Sequence, residues 1–265
     1  MGHGIPANGS ITLPYSENIP NIDGQWSTSV EWTDASENII QNGFGWTVYI
    51  RAKQNQTHIF VLLDFITDQS QGEDLVGVCF DTHDDGGDIP KTDDYLFTPG
   101  GVYDVICQGT NMSYPNDWVW INKPPEALML KGFSSNHDPY EGGQNHRVYE
   151  FQVPCRHLGE GANYGFYAYV YDDSTQTLLQ WPGNAGGVLR DSNPDFFSSA
   201  PGNWGDIRSD PDHPFIPEFP SFFILPLFMI ATLAVVIALK KKLPMPLKME
   251  KRGIVREISP VYTSY

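Results

Sequence analysis

The sequence has few basic residues for its length, and many of those it has lie near the C-terminus. Its 265 residues include 16 Lys and Arg against 32 Asp and Glu, a formal net charge of −16 at pH 7. Residues 1–239 hold 30 of the acidic residues and only 9 of the basic ones. Because such a surface repels polyanions, we expect no nucleic-acid partner for this part. Residues 240–265 are basic, which suits contact with an anionic membrane face.

Cysteine is also scarce. The chain has three, Cys79, Cys107 and Cys155, and no two of them form a Cys-x-x-Cys pair, so the sequence shows no zinc or redox motif. Cys79 and Cys107 end two segments that could be neighbouring strands, and one interpretation is a disulfide between them that leaves Cys155 unpaired. The other interpretation is three unpaired cysteines in the core.

The short motifs of common catalytic centres are missing as well. None of the seven histidines belongs to a His-x-x-x-His pair, and no serine lies in a Gly-x-Ser-x-Gly turn. Carboxylates are plentiful, as an acidic surface requires, and the sequence does not give the distances between them. We therefore predict that the protein is not an enzyme.

No long helical pattern occurs between residues 10 and 209. Apolar residues there alternate with polar ones or form short runs, and Gly, Pro, Asn or Asp interrupts them about every ten residues, which is typical of a sandwich or barrel. The pattern predicts eight strands, at residues 47–53, 59–65, 75–80, 101–107, 118–121, 127–130, 147–153 and 164–171. We predict an all-β fold, a two-sheet antiparallel β-sandwich over residues 12–208, preceded by an N-terminal extension, residues 1–11.

One long hydrophobic run is present. Residues 221–239 are 19 residues without a charge, and Lys240, Lys241 and Lys242 follow at once. At about 1.5 Å per residue, a helix of this length spans the hydrocarbon core of a bilayer. Lysine clusters stay on the cytoplasmic side. The sequence therefore predicts one C-terminal transmembrane helix, an extracellular domain before it, and a basic cytoplasmic tail at residues 240–265.

The segments that flank the predicted domain bear on export. Residues 209–220 contain four prolines and read as a short, stiff spacer next to the membrane. Residues 1–8 have neither a basic start nor an apolar run, so we expect that a signal peptide has been removed or that the start codon was assigned too late. The alternative, a cytoplasmic domain on a tail anchor, would put the lysines on the wrong side of the membrane. Glycosylation sequons at Asn8, Asn55 and Asn111 are consistent with export.

Acidic side chains cluster between residues 81 and 94, around Gly86 and Gly87. Calcium takes six to eight oxygen ligands, and a glycine-containing loop can wrap carboxylates around one ion. Without a cation such a loop would repel itself. We predict a structural calcium site made by six aspartates, with a solvated acidic loop as the alternative. The six are Asp81, Asp84, Asp85, Asp88, Asp93 and Asp94.

The C-terminal region has a tripeptide, a hydrophobic run and a basic cluster in a fixed order. Pro217, Glu218 and Phe219 precede the run, and the arrangement over residues 216–242 resembles the PEF-CTERM sorting signal of archaeal surface proteins. The resemblance implies recognition by an archaeosortase, cleavage near the tripeptide and transfer to a lipid anchor. The 23 residues after Lys242 depart from the pattern, and if they are kept, the helix itself is the anchor.

Several short motifs also occur in a fixed order along residues 12–207. They are Ile22-Asp23-Gly24 with Glu31-Trp32, residues 59–64, residues 76–81 leading into residues 83–87, Asp93-Asp94-Tyr95, Val153-Pro154 and residues 203–206. Their order resembles that of family 9 carbohydrate-binding modules and related DOMON-like sandwiches. The resemblance implies a β-sandwich with structural calcium. The two sugar-stacking rings of that family have no counterpart near residues 70–72 or 188–190, so the fold can stand while the ligand differs.

Aromatic residues are abundant, with seven Trp and thirteen Tyr. Sugar-binding proteins stack pyranose faces on such rings, although sandwich cores use aromatic residues too. Trp118 and Trp120 lie two residues apart on a predicted strand and share a face, next to a polar turn. Trp181 precedes Pro182 and Gly183 and is another candidate for exposure. We predict that Trp118, Trp120 and Trp181 bind the ligand.

Together these features predict a non-catalytic archaeal cell-surface protein that is anchored in the membrane and binds carbohydrate. The alternative is a structural or adhesive protein that contacts other cell-surface proteins. A ring-lined groove favours the first, and an exposed apolar patch or an unpaired edge strand favours the second. A haem-binding electron-transfer domain is a distant third, because no spacing selects Met112 or Met129 with His146 or His157 as axial ligands.

Overall fold

The computed structural model describes residues 9–70, 72–100, 104–140, 145–159, 161–190 and 196–215, together with residues 229, 230, 232, 233 and 235. Its strands are β1 Ser10–Leu13, β2 Ser36–Gln41, β3 Thr47–Gln54, β4 His58–Phe65, β5 Leu75–Asp81, β6 Asp94–Thr98, β7 Val105–Gly109, β8 Trp118–Ile121, β9 Leu128–Phe133, β10 Arg147–Pro154, β11 Asn163–Asp172, β12 Thr177–Trp181, β13 Val188–Arg190, β14 Phe196–Ser198 and β15 Gly205–Ser209. One short helix, α1 Cys155–Leu158, follows β10. The described part of the chain is therefore mostly β.

Two large sheets account for most of the strands. The large sheet has the order β1-β15-β11-β5-β6-β7-β8, with β12 also paired to β11, and the five-stranded sheet has the order β2-β3-β4-β10-β9. Neighbouring strands are antiparallel except β1 and β15, which are parallel. Val61 and Phe151 of the five-stranded sheet share one buried cluster with Val78 and Phe166 of the large sheet. The sheets are consistent with the predicted β-sandwich.

Each of the eight predicted strands corresponds to a strand of the structure, namely β3, β4, β5, β7, β8, β9, β10 and β11. Their ends shift by a few residues, and β7 begins at Val105, after Asp104, which is described but belongs to no strand; residues 101–103 lie outside the described part. The strands that the pattern missed are short or polar. β6 is an example: the pattern predicts no strand there and places its first residue, Asp94, in the acidic loop, yet β6 lies inside the large sheet.

Both sheets are covered on their outer faces as well. Along β4, Val61 and Leu63 point into the core between the sheets, whereas Phe60 and Leu62 pack on the outer side under Trp26 and Trp32. Ala185, Phe196, Phe197 and Trp204 cover the outer face of the large sheet and form a separate buried cluster with side chains of that face. Strands buried on both faces read as continuous apolar runs, which explains the runs at β4 and β5.

The cysteines do not form a disulfide. Cys79 on β5 and Cys107 on β7 both lie opposite Leu96 of β6, which separates them. Two strand spacings, about 9.6 Å, exceed the Cα separation that a disulfide allows. Cys79, Cys107 and Cys155 are all free and buried. The disulfide interpretation was therefore wrong, and burial raises the pKa of the Cys107 and Cys155 thiols to about 12.

The C-terminal predictions fall mostly on residues that the structure leaves undescribed. Residues 1–218 and residues 219–265 form two separate units. Among the described residues, no helix combines the length and apolar character needed to cross a membrane. The predicted helix at residues 221–239 lies largely outside the described part, as do the tripeptide Pro217 to Phe219, the basic tail and Asn8. These assignments stay predictions.

A buried carboxylate fastens the N-terminal cover of the five-stranded sheet. Glu150 is fully buried on β10 and accepts hydrogen bonds from the backbone N–H of Asp23 (2.9 Å) and Gly24 (2.8 Å). It also accepts one from Nε1 of Trp32 at 3.1 Å. The fully buried Lys53 ammonium donates to the Asn18 and Glu31 carbonyls, both at 2.6 Å. Strands β3 and β10 thus tie down the segment that carries Trp26 and Trp32.

We expect Glu150→Ala to destabilise the protein by about 3 kcal/mol or more, because it leaves three buried donors without an acceptor. Urea unfolding followed by tryptophan fluorescence measures the change. Gln152→Ala is the matched control, since Gln152 lies two residues further along β10 and is only half-buried. A Glu150→Ala midpoint equal to that of the control would contradict this role for Glu150.

Candidate functional site

A groove opens at the free edge of the large sheet. It is lined by Tyr114, Pro115, Asp117, Trp118, Trp120, Arg190 and Phe196. We call these residues the aromatic groove. The loop before β8, the strand β8 itself and the β13-β14 pair each contribute part of the wall, so the groove forms where the outer cover of the sheet meets its last strand.

The two tryptophans of β8 lie on the same face of the strand, as their spacing predicts. Trp118 pairs with Gly109 and Trp120 pairs with Cys107, both on β7. Trp118 is half-buried, its ring meets Phe196 edge-on at 6.4 Å, and its Nε1 donates to Oγ of Ser198 at 3.0 Å. Trp120 is 54% exposed. One ring is therefore fixed by packing and the other is presented to solvent.

A charged pair stands beside these rings. The Arg190 guanidinium lies 3.0 Å from Oδ2 of Asp117 and 5.1 Å from the ring centroid of Tyr114, which is 53% exposed. Guanidinium has five N–H donors, more than one carboxylate can accept. Because the side chains of Arg190 and Asp117 are only 19% and 5% exposed, the pair is held in place. The groove therefore combines flat apolar faces with fixed polar groups.

Strand β8 also has a feature that favours the alternative hypothesis, adhesion to another protein. In the described part of the chain, β8 pairs only with β7, so its other edge has no strand partner. Val119 and Met112 are about half exposed nearby, at 48% and 52%. An unpaired edge with apolar neighbours is a docking surface for another chain. Both features that were expected to separate the two hypotheses thus occur at the same place.

The structure does not bring Trp181 to the aromatic groove. Trp181 ends β12, pairs with Ala168 of β11, and packs half-buried against Phe166 with ring centroids 5.7 Å apart. A Cβ built on Gly205 would lie 2.5 Å from this indole, so the ring fills the space that the glycine leaves. The Pro182 and Gly183 that follow do not force the indole into solvent.

Sequence reasoning missed three residues that line the aromatic groove. Tyr114 and Asp117 come from the loop before β8 and Arg190 ends β13, so these residues are far apart in sequence and no local spacing marks them.

The two described glycosylation sequons differ in exposure. Asn111 is exposed on the loop before β8. Asn55 is half-buried, and its Oδ1 accepts hydrogen bonds from the backbone N–H of two following residues at 3.2 and 2.8 Å.

The acidic loop between β5 and β6 gathers three of its six aspartates. Asp81, Asp85 and Asp93 each offer a carboxylate oxygen, and these oxygens lie within 4.8 Å of one another. Oδ2 of Asp81 accepts the Gly86 N–H at 2.7 Å, which folds the loop back on the strand end. Asp84 and Asp88 lie outside this group of three. Carboxylate oxygens at this spacing suit a hard cation such as calcium.

Charge in this loop is only partly balanced. The Lys91 ammonium contacts Oδ1 of Asp85 at 2.6 Å. Asp94 is fully buried at the start of β6, and its Oδ1 has no hydrogen-bond partner. Burial, with Asp81 and Asp93 nearby, raises the pKa of Asp94 to about 8, and burial also raises the pKa of Asp81. A bound cation would relieve the repulsion.

The residues considered as haem ligands do not form a pair on one face. Met129 is buried between the sheets, and Met112 is exposed beside the groove. His157 packs against Tyr95 with ring centroids 4.7 Å apart, and His146 contacts two buried aspartates. No methionine and histidine among these four residues are therefore placed to coordinate a haem iron from opposite sides.

Comparison with known proteins adds two structural similarities. No family model and no curated protein matches the chain. A family 9 carbohydrate-binding module from Caldicellulosiruptor kristjanssonii, solved in complex with cellotriose, aligns with TM-score 0.48 and 15% identity over 80% of this chain and 100% of the module. A Bacteroides uniformis ATCC 8492 protein, provisionally described as carbohydrate-binding, aligns with TM-score 0.47 and 10% identity over 77% and 100%. Similarity of this extent leaves the ligand to be argued from the chain's own residues.

With divalent cations removed by EDTA, we expect stability to fall between about pH 4 and pH 8 because of Asp94. Its pKa is about 8 in the folded protein against 3.8 ordinarily, so the folded state keeps a proton that the unfolded state releases. The contribution is complete below the ordinary pKa and is lost as the pH rises through 8. Asp94→Asn should flatten this slope in urea titrations, and the exposed Asp88→Asn should not. Equal slopes for the two variants would contradict the assignment.

Proposed function

We propose that the protein is a non-catalytic cell-surface module that binds carbohydrate in the aromatic groove. The observation that carries this proposal is the 54% exposure of Trp120 in a groove that also holds the fixed pair Arg190 and Asp117. A pyranose ring has apolar C–H faces and a rim of hydroxyl groups. It therefore matches a wall that offers indole faces and charged hydrogen-bonding groups side by side.

The groove is largely preformed. Trp118 is held by Phe196 and by its hydrogen bond to Ser198, and Arg190 is held by Asp117. Rings and side chains that are already ordered lose little conformational entropy when a ligand binds. This arrangement supports binding of a rigid sugar ring without a large rearrangement of the protein.

The same groove is poorly equipped for cleavage. Glycoside hydrolysis generally uses two carboxyl groups on either side of the scissile bond. Among the residues that line the groove, Asp117 is the only carboxylate, and it is paired with Arg190. The groove geometry therefore supports binding in preference to catalysis.

The second candidate function is adhesion to another protein through the edge of β8. The observation that favours it is that β8 pairs only with β7 among the described strands and carries Val119, which is 48% exposed. An added strand would form backbone hydrogen bonds there, and alternate side chains would enter the groove. This function predicts that binding depends on backbone pairing and tolerates loss of a single ring.

The cellular setting follows from the sequence. We place residues 12–208 outside the cell, with the helix at residues 221–239 as a membrane anchor, or as a sorting signal that an archaeosortase removes after Pro217, Glu218 and Phe219. Three features support this placement: the 19 uncharged residues at 221–239, the lysine cluster that follows them, and the exposed glycosylation sequon at Asn111. Structural calcium in the acidic loop belongs to the same proposal, supported by the three convergent carboxylates.

Trp120→Ala should weaken glycan binding at least about tenfold, because it removes the exposed stacking face. A glycan array identifies the ligand, and isothermal titration calorimetry with that glycan measures the affinity. Phe44→Ala is the matched control, since Phe44 is 90% exposed in the turn between β2 and β3, away from the groove. Unchanged affinity in Trp120→Ala, or no glycan bound by the wild type, would reject the carbohydrate proposal.

Removal of calcium with EDTA should lower the melting temperature by several degrees, and added calcium should restore it. Asp93→Asn should abolish this response because it removes one of the three convergent carboxylates. Asp212→Asn, an exposed aspartate outside the loop, should keep it. If neither EDTA nor added calcium changes the melting temperature of the wild type, the acidic loop is solvated and binds no calcium.

A further inference from the structure

Three ligand-type side chains converge on the five-stranded sheet, away from both the groove and the acidic loop. Asp64 lies on β4, His146 comes just before β10, and Asp138 lies in the segment after β9. Nε2 of His146 is 2.6 Å from Oδ1 of Asp64 and 3.0 Å from Oδ2 of Asp138. The side chains are at most 1% exposed. We call these residues the buried triad.

Hydrogen bonds within the buried triad do not satisfy all of its polar atoms. Nε2 of His146 carries one proton at most, and it is hydrogen-bonded to Asp138. Asp64 is fully buried, and neither of its carboxylate oxygens has a hydrogen-bond partner, even though one of them lies 2.6 Å from Nε2. A buried carboxylate that accepts no hydrogen bond is costly, and here its one charged contact is the nitrogen that it shares with Asp138. Its oxygen points at the same nitrogen that Asp138 contacts.

We propose that the buried triad binds a divalent transition-metal ion such as Zn²⁺. One oxygen of Asp64, one oxygen of Asp138 and Nε2 of His146 lie within 4.8 Å of one another. Tetrahedral Zn²⁺ with ligands at about 2.1 Å separates them from one another by about 3.4 Å. To reach that value, the distance from His146 to Asp64 would increase by about 0.8 Å and the distance to Asp138 by about 0.4 Å. Neither oxygen of Asp64 accepts a hydrogen bond in the structure, so both can coordinate an ion.

The donor set selects the class of metal. Calcium and magnesium take oxygen ligands, whereas an imidazole nitrogen with carboxylates suits zinc and its first-row neighbours. Two carboxylates with a neutral imidazole carry two negative charges, which a divalent ion balances inside the sheet. The acidic loop lacks such a nitrogen in its group of three and suits calcium. The chain therefore offers two sites with different metal preferences.

The ion would fasten a cover segment to the sheet. Ser134 and His146 already exchange backbone and side-chain hydrogen bonds, at 2.8 Å from Ser134 N–H to the His146 carbonyl and 3.1 Å from His146 N–H to the Ser134 hydroxyl. Tyr140 stacks on Tyr49 with ring centroids 4.0 Å apart. Asp138 lies between these contacts in sequence, so coordination would close the segment between them. The inferred role is structural, as in closed zinc sites.

Titration of the full-length protein with Co²⁺, in the presence of saturating calcium, tests the site. We expect visible d–d bands of a low-symmetry four- or five-coordinate site, and Zn²⁺ should displace them. Asp138→Asn and His146→Gln should weaken Zn²⁺ binding at least about tenfold in calorimetry. His83→Gln is the matched control, because His83 is exposed beside Asp93 in the acidic loop and should leave the affinity unchanged.

Absence of Zn²⁺ binding by the wild type, or equal affinity in His146→Gln, would overturn the proposal. If the variants fail to fold, X-ray absorption of the Zn²⁺-loaded wild type still decides the matter. One imidazole with oxygen ligands and no sulfur supports the triad, and a sulfur shell or no imidazole overturns it. These outcomes are independent of glycan binding, so this site and the groove can fail separately.

Discussion

The architecture depends on the burial of Glu150 under the N-terminal segment. Its carboxylate holds the backbone of Asp23 and Gly24 and the indole of Trp32, and so keeps a cover over Phe60 and Leu62. Without that cover the five-stranded sheet would expose an apolar face to water. A cover made of loop needs its polar backbone satisfied, and the buried Glu150 and Lys53 supply the partners. Apolar burial and polar satisfaction are thus coupled in one region.

The large sheet also has an apolar outer face, which a different segment of the chain covers. The aromatic groove forms because that cover is incomplete. Ala185, Phe196, Phe197 and Trp204 cover the centre of its outer face, but the last strand, β8, stays partly exposed. Trp118 is therefore packed under the cover, whereas Trp120 lies beyond it. Arg190 and Phe196 come from the cover, so the groove has walls from two separate parts of the chain.

Periodicity predicted the long strands well because alternation and apolar runs are local properties. It also placed Trp118 and Trp120 on one face, which the structure shows. It did not predict β6, whose leading Asp94 is buried only because β5 and β7 flank it. Tyr114 and Arg190 meet only after the chain has folded, and so do the members of the buried triad, so no local pattern could reveal either set. Trp181 was expected to be exposed because of the turn after it, but packing beside Gly205 keeps it half-buried.

The parallel pairing of β1 with β15 has a mechanical consequence. Ser10 lies opposite Asp206 and Leu13 lies opposite Ser209, so the chain enters the domain at one end of this pair and leaves at the other. Tension between the two sides of the domain would pull these strands lengthwise past each other and load their hydrogen bonds together, where an antiparallel pair could be peeled open one bond at a time. A domain tethered at its C-terminal side and pulled from its N-terminal side is therefore held in shear.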